Sequence, residues 1–225
     1  VKIWVNGLRN MNKEFLAQLK DDGYVPVDRL FFKKDSIAVS KELLGCILVS
    51  EKDNVLTGGK IVETEAYPYT DAGSHVFKRN VTERTKYQLL EGGHLYLYTI
   101  YGMYIMTSIV TNDKGIPDVS FIRSIEPIYG KEVMFKRRGV NNEKNLSNGP
   151  GRLSECLGVN IKDQGKDLID TNSDIYILKP IVPPKITISS GKRINLGMHG
   201  KEKGDALNAV NENWRFYIKG SDFLS

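Results

Sequence analysis

The sequence predicts one domain of mixed α/β type, and three observations predict it. Short β-branched and aromatic runs recur with polar turns between them, among them KIVETEAY at 60–67 and EGGHLYLYTIYGMYIMTSI at 91–109. Other stretches carry apolar residues at helical spacing behind a capping asparagine or aspartate. No internal repeat, low-complexity linker or shift of composition divides the 225 residues, a length that one large domain accommodates.

Composition narrows the function classes. With 40% hydrophobic and 26% charged residues the chain is an ordinary globular one, and no apolar run is long enough for a membrane helix. It opens on Val1 without a signal-like segment, so it is expected to be trimmed from a longer precursor. A net charge of +5 permits a polyanionic partner without demanding one. Cys46 and Cys156 are too few for a disulfide framework and read as reduced, intracellular thiols. His75, His94 and His199 share no ligand spacing with them, so no metal site is expected.

Taken in order, residues 1–29 read as an N-terminal helix or arm, with Phe15, Leu16 and Leu19 behind Asn12, and the main domain is expected over 30–225. Asp35 caps a helix carrying Ile37, Ala38, Leu43 and Leu44, stopped by Gly45. Cys46 to Val49 is a buried strand, Glu51 to Asn54 a turn and Val55 to Thr57 a second strand, which Gly58-Gly59 is expected to break. In the strand 60–67, Glu63, Glu65 and Tyr67 share one face, because side chains alternate with period two. Two carboxylates and a tyrosine aimed together suit a site; a solvent-facing edge strand explains them equally well.

Pro68 to Arg84 is a long polar connection holding Asp71 and His75, and loops of that length in a domain tend to carry function. In 91–109, Gly102 marks a bend between two strand halves, with Tyr96 and Tyr98 on one face and Tyr101 near the tip. Such rings suit either a packed core or stacking against bases. Val119 to Ile122 is a strand ending at Arg123, an arginine placed to pair with a carboxylate or to contact phosphate. Tyr129 to Arg138 is a helix with a basic face. Asn148-Gly149-Pro150-Gly151 opens a helix over 152–157 stopped by Gly158, and strands are expected at 175–178, 186–188, 193–196 and 214–218.

Together these stretches resemble the alkyladenine (3-methyladenine) DNA glycosylase family. The resemblance runs from about Leu30 to the end, on IVETEAY at 61–67, SH at 74–75, LYLYTIYGMY at 95–104, FIRSIEP at 121–127, NGPGRL at 148–153 and WRFYIKG at 214–220. It implies an α+β fold, a single compact domain with a curved, mainly antiparallel sheet flanked by helices. It also implies a monofunctional enzyme without cofactor or metal that flips damaged purines from double-stranded DNA and hydrolyses the N-glycosidic bond. A monomer acting on DNA inside the cell is expected.

Residue by residue, the resemblance assigns Glu65 as the acid that deprotonates the attacking water and Arg123 as a second ligand of that water. The main-chain carbonyl of Ile194 is a third. Tyr67, His75 and Tyr98 match the walls around the flipped base, while Tyr101, with Met103 beside it, matches the wedge left in the duplex. Chemistry agrees: a base must leave the stack before its sugar bond is attacked, and water needs a carboxylate to activate it. Two rivals stand beside this reading. One is a non-catalytic nucleic-acid-binding barrel; the other is a lyase acting through a lysine amine, for which Lys60 at the strand start is the candidate. The sequence departs from the family at Ser108, where the family usually carries an asparagine that crowds the amine of guanine. Serine is smaller, which implies a pocket more permissive to guanine-derived bases unless Thr107 or Met103 fills the volume.

Overall fold

The longest strand runs straight through the glycine pair at which a break was expected. The computed structural model describes residues 22–79, 81–170, 173–196 and 204–225, so the helix expected after Asn12 lies outside the described residues. The described chain forms β1 (Tyr24–Pro26), α1 (Arg29–Phe32), α2 (Ser36–Glu42), β2 (Ile47–Lys52), β3 (Val55–Tyr67), β4 (Leu95–Ile100), β5 (Tyr104–Thr111) and β6 (Asp118–Tyr129). There follow α3 (Lys131–Arg138), α4 (Pro150–Leu157), β7 (Ile175–Pro180), β8 (Ile188–Gly191), α5 (Asp205–Asn211) and β9 (Arg215–Ile218). The fold is α+β, as expected, and its sheet already begins with β1, ahead of residue 30.

One antiparallel sheet orders the strands β1-β7-β2-β3-β6-β5-β4. β9 pairs with β3 at Glu63 to Glu65, beyond the end of β2, and β8 pairs with β9. Thus β3 is central, with β6 along one side and β2 then β9 along the other. The solvent-facing edge considered for Glu63 and Glu65 is excluded. The free edge of β4 is covered: its Leu97 N–H donates to Gln164 Oε1 at 2.5 Å and its Leu95 N–H to the Lys166 carbonyl at 2.8 Å. Pairing the exposed groups of an edge strand in this way removes a template for aggregation.

Local chemistry accounts for the elements. Asp35 caps α2, its carboxylate accepting from the Ile37 and Ala38 amides. Pro150 stands at the first turn of α4, where no backbone donor is needed, and Gly158 ends it in the left-handed region. On one face of the sheet Val39, Leu43, Met134, Leu153 and Leu157 of the helices pack against Ile61, Ala66, Ile109, Ile122 and Ile125. The opposite face of the β3–β6–β5–β4 half carries the site.

Several expected boundaries move. β6 continues past Arg123 through Pro127 to Tyr129. Proline offers no ladder donor, and the register shifts there: Gly58 faces Tyr129 while Gly59 faces Pro127. The glycine pair therefore lies within β3, opposite a bulge. A Cβ on Gly59 would meet the Glu126 carbonyl at 2.7 Å and Ile125 Cδ1 at 2.8 Å, so glycine is required by close approach. The strand expected at 193–196 is a bend, and the one at 186–188 falls instead at Ile188–Gly191, where β9 provides a partner. β1, α1 and α5 are short and carry too little periodicity to be read from sequence.

Gly59→Ala is expected to cost about 1–3 kcal/mol in urea melts, the usual range for overpacking a close-packed site. An unchanged midpoint would show that the bulge yields to the added methyl group.

Candidate active site

Register aligns the site. Glu65 on β3 pairs with Phe121 on β6, Phe121 with Ser108 on β5, and Ser108 with Tyr96 on β4. Residues opposite one another on neighbouring strands point to the same face, so these four side chains form one row across the sheet. Register shifts between Ile61, Glu63 and Thr64 let Ile61 face the helices while Glu63 joins Glu65 and Tyr67 on the site face. Thr64 faces the helices, its hydroxyl donating to the Ser40 carbonyl at 2.7 Å.

At one end of the row the two carboxylates are fully buried and tied down. Glu65 Oε1 accepts from Arg123 Nη1 at 3.1 Å and from the Ile194 amide at 2.8 Å, and its Oε2 accepts from the Tyr67 hydroxyl at 2.8 Å. Glu63 accepts from Arg215 Nη1 at 2.9 Å, Ser124 Oγ at 3.1 Å and the Ser225 amide at 2.7 Å, with Arg123 Nε 3.4 Å away. Arg123 Nε also donates to Ser225 Oγ at 3.0 Å. Burial raises the Glu65 pKa above the usual carboxylate value, while Arg123, the Ile194 amide and Tyr67 act against that rise. Burial and the neighbouring Glu65 charge push the Tyr67 phenol well up, so its proton stays in the hydrogen bond.

At the other end the surface is aromatic. The rings of Tyr96 and Tyr98 stack at 5.7 Å, His75 meets Tyr98 edge-on at 4.7 Å, and Phe121 lies 6.2 Å from Tyr98 and 6.4 Å from Tyr67. His75 Nδ1 is 2.9 Å from the Tyr96 hydroxyl. The histidine as a residue is exposed, yet its ring is crowded by both tyrosines. Burial of that ring, then the Arg84 charge, lowers its pKa to about 4. The imidazole is therefore neutral near pH 7 and offers a hydrogen bond rather than a charge.

The hairpin tip stands outside this wall. Tyr101 and Gly102 both have positive φ, at 53° and 71°, and the Ile100 carbonyl accepts from the Met103 amide, the pattern of a type I′ turn. A tyrosine in the left-handed region is strained. Here that conformation presents a residue 86% exposed, with Met103 69% exposed beside it.

The structure thus gathers Glu65, Arg123, Tyr67, Ile194, Tyr98, His75 and Ser108 on one face and sets Tyr101 and Met103 at its rim. Two expectations change, and one contact is added. Arg123 lies inside a strand rather than at its end. Ile194, expected to serve through its carbonyl, also donates its amide to Glu65. Neither proposed filler stands beside Ser108: Thr107 faces α4, bonded to Ser154 Oγ at 2.9 Å, and Met103 is at the exposed tip. Phe121, Arg193 and Arg215 were missed. Phe121 was within reach, because it stands two residues before Arg123 on the same strand.

Comparison with known proteins gives the family. Residues 30–222 match methylpurine-DNA glycosylase. The chain belongs to that family. A Clostridium acetobutylicum protein named as a candidate 3-methyladenine DNA glycosylase is 39% identical over 206 residues, 88% of this chain and 96% of its own. Proteins named likewise from Methanoculleus marisnigri and Bacillus subtilis are each 33% identical, covering 87% and 89% of this chain and 96% of their own lengths. The family member described here is a DNA glycosylase of methylated purines, so the non-catalytic reading is set aside. Among the described residues no group of histidine, cysteine and carboxylate side chains could hold a metal, and no helix is long and apolar enough to cross a membrane.

The His75 ring resonances are expected to titrate near pH 4 in NMR, and a midpoint near 6.5 would show an imidazole solvated like a surface one.

Proposed function

We propose that this enzyme extrudes a modified purine nucleotide from duplex DNA, holds the base against Tyr67, His75 and Tyr98, and hydrolyses its N-glycosidic bond. The observation that carries the reading is the Glu65 carboxylate, buried beside an aromatic wall and oriented by Arg123, Tyr67 and the Ile194 amide. The lesions it would take are alkylated and deaminated purines, among them 3-methyladenine, 7-methylguanine, hypoxanthine and ethenoadenine.

Chemistry follows from that placement. A water that enters with the extruded nucleotide to reach the otherwise buried Glu65 and Arg123 attacks C1′ of the sugar, and Glu65 takes its proton. The electron pair of the C1′–N bond leaves with the base, neutralising the ring of a cationic lesion. The products are the free base and an abasic site. Because the transition state places positive charge on the sugar, an ionised Glu65 also stabilises it, and Arg123 favours that ionised form. Flipping costs stacking and pairing; Tyr101 at the tip replaces lost stacking in the duplex, while the aromatic wall receives the base. Duplex DNA is the partner, bound by a monomer. A lyase mechanism has less support, since Lys60 is engaged by Glu126 at 2.6 Å.

Glu65→Gln preserves shape and deletes the base. Single-turnover release of hypoxanthine from duplex DNA should fall by about a hundredfold or more, with DNA binding retained in gel-shift titrations. A near-normal rate would move the general base elsewhere, Glu63 being next in line.

Ser108 generates a second expectation. It lies in the pairing row between Phe121 and Tyr96, with the two neighbours that were candidates to replace the missing asparagine facing elsewhere. Ser108→Asn should reduce the ratio of 7-methylguanine to hypoxanthine release by about fivefold to a hundredfold, the range of a modest steric filter. An unchanged ratio places the guanine filter outside position 108.

A further inference from the structure

We propose that Arg193 is a specificity-determining residue that, from behind the Tyr67 ring, weakens the hold on positively charged bases relative to neutral ones. The inference rests on Tyr67 as a base-stacking wall, the reading given above, and asks which bases that wall prefers.

The observations are geometric. The Arg193 guanidinium carbon lies 4.6 Å from the centroid of the Tyr67 ring and 5.1 Å from that of Trp214. Its side chain is fully buried and cannot withdraw: Nη1 donates to the Ala66 carbonyl at 3.0 Å and Nη2 to the Ala209 carbonyl at 2.9 Å. Nη2 also pairs with Asp71 Oδ1 at 2.8 Å, a carboxylate itself buried. Ala66 directly precedes Tyr67, so the same arginine fixes the backbone from which the ring projects.

A cation over one face of an aromatic ring draws π density towards itself. The opposite face, the one left for a base, becomes a poorer partner for a second cation. A base stacked there at about 3.5 Å would lie roughly 8 Å from the guanidinium carbon, given its 4.6 Å distance to the ring. Across a buried ring, water does little to screen that separation. Asp71 cancels part of the field and leaves a residual repulsion. A neutral base carries no net charge to be repelled, so the penalty falls on cationic lesions alone. Those have the weaker glycosidic bonds, because the base leaves as a neutral molecule. An arginine here therefore evens out release between labile cationic lesions and stubborn neutral ones.

The test is a ratio. Single-turnover release is measured on matched duplexes carrying 7-methylguanine, cationic at slightly acidic pH, or hypoxanthine, which is neutral. Arg193→Gln should raise the 7-methylguanine to hypoxanthine ratio by about three- to tenfold, while Arg193→Lys, which keeps the charge, leaves it near the natural value. Equal losses on both substrates, or equal ratio shifts in both variants, would overturn the proposal, because a purely structural arginine predicts them. Should Arg193→Gln fail to fold, Asp71→Asn supplies the opposite sign: with its counterion gone, Arg193 repels more strongly and the ratio falls. A ratio that is unchanged or higher in Asp71→Asn overturns the idea. Release of neither base by the unmodified enzyme would instead overturn the reading of the site on which it rests.

Discussion

Two buried carboxylates on one strand impose most of the architecture around them. An ion taken from water costs several kcal/mol unless it is paired and hydrogen-bonded, and Glu63 and Glu65 are both out of contact with solvent. Their partners arrive from every side: Arg123 from β6, Arg215 from β9, the Ile194 amide from the 193–196 bend and Ser225 from the end of the chain. Pairing β3 with β9 beyond the reach of β2 puts Arg215 opposite Glu65, two residues along β3 from Glu63, which its guanidinium holds. Adding Asp71 and Arg193 gives three carboxylates set against three guanidiniums. Such a matched cluster tolerates removal of one member badly, which is why the charge-conserving or shape-conserving changes are the informative ones.

The aromatic end is built from uncharged side chains, although the Arg84 charge acts on it. His75 is neutral near pH 7, and the phenols of Tyr67, Tyr96 and Tyr98 are all held above their ordinary values by burial. The aromatic wall is thus flat, polarisable and uncharged, with hydrogen bonding supplied at its margin by the His75–Tyr96 pair. Recognition by such a surface depends on shape and stacking, which most purines share, and tolerates varied modifications. In the proposed reading, discrimination would then come from small features: the volume at Ser108, the hydrogen-bonding edge of His75, and the field behind Tyr67.

Much of the site was legible because it obeys the simplest rule a strand has. Period-two alternation placed Glu63, Glu65 and Tyr67 together, and likewise Tyr96 and Tyr98, before any contact was known. What failed was local punctuation overruled by tertiary context. Gly58-Gly59 and Glu126-Pro127 each look like strand ends in isolation. In the fold they face each other across a bulge, where the proline's missing donor and the glycines' missing Cβ atoms accommodate one another. Arg193 was unreadable for a different reason: it makes contacts with Asp71 and Ala66, which are far away in sequence.

The hairpin tip fits the proposed action on a duplex. Extruding a nucleotide leaves a gap in the stack, and whatever fills the gap must already be ordered if it is not to add an entropic cost at the moment of flipping. Tyr101 meets that condition through strain. Its left-handed backbone is sustained by a turn whose strands continue into the buried face carrying Tyr96, Tyr98 and Ser108. In the proposed reading the same two strands would therefore hold both the ring that replaces the lost base and part of the wall that receives it, about one strand's length apart. Wedge and pocket would then be coupled by the sheet itself, with flipping and capture drawing on one element rather than on separate motions.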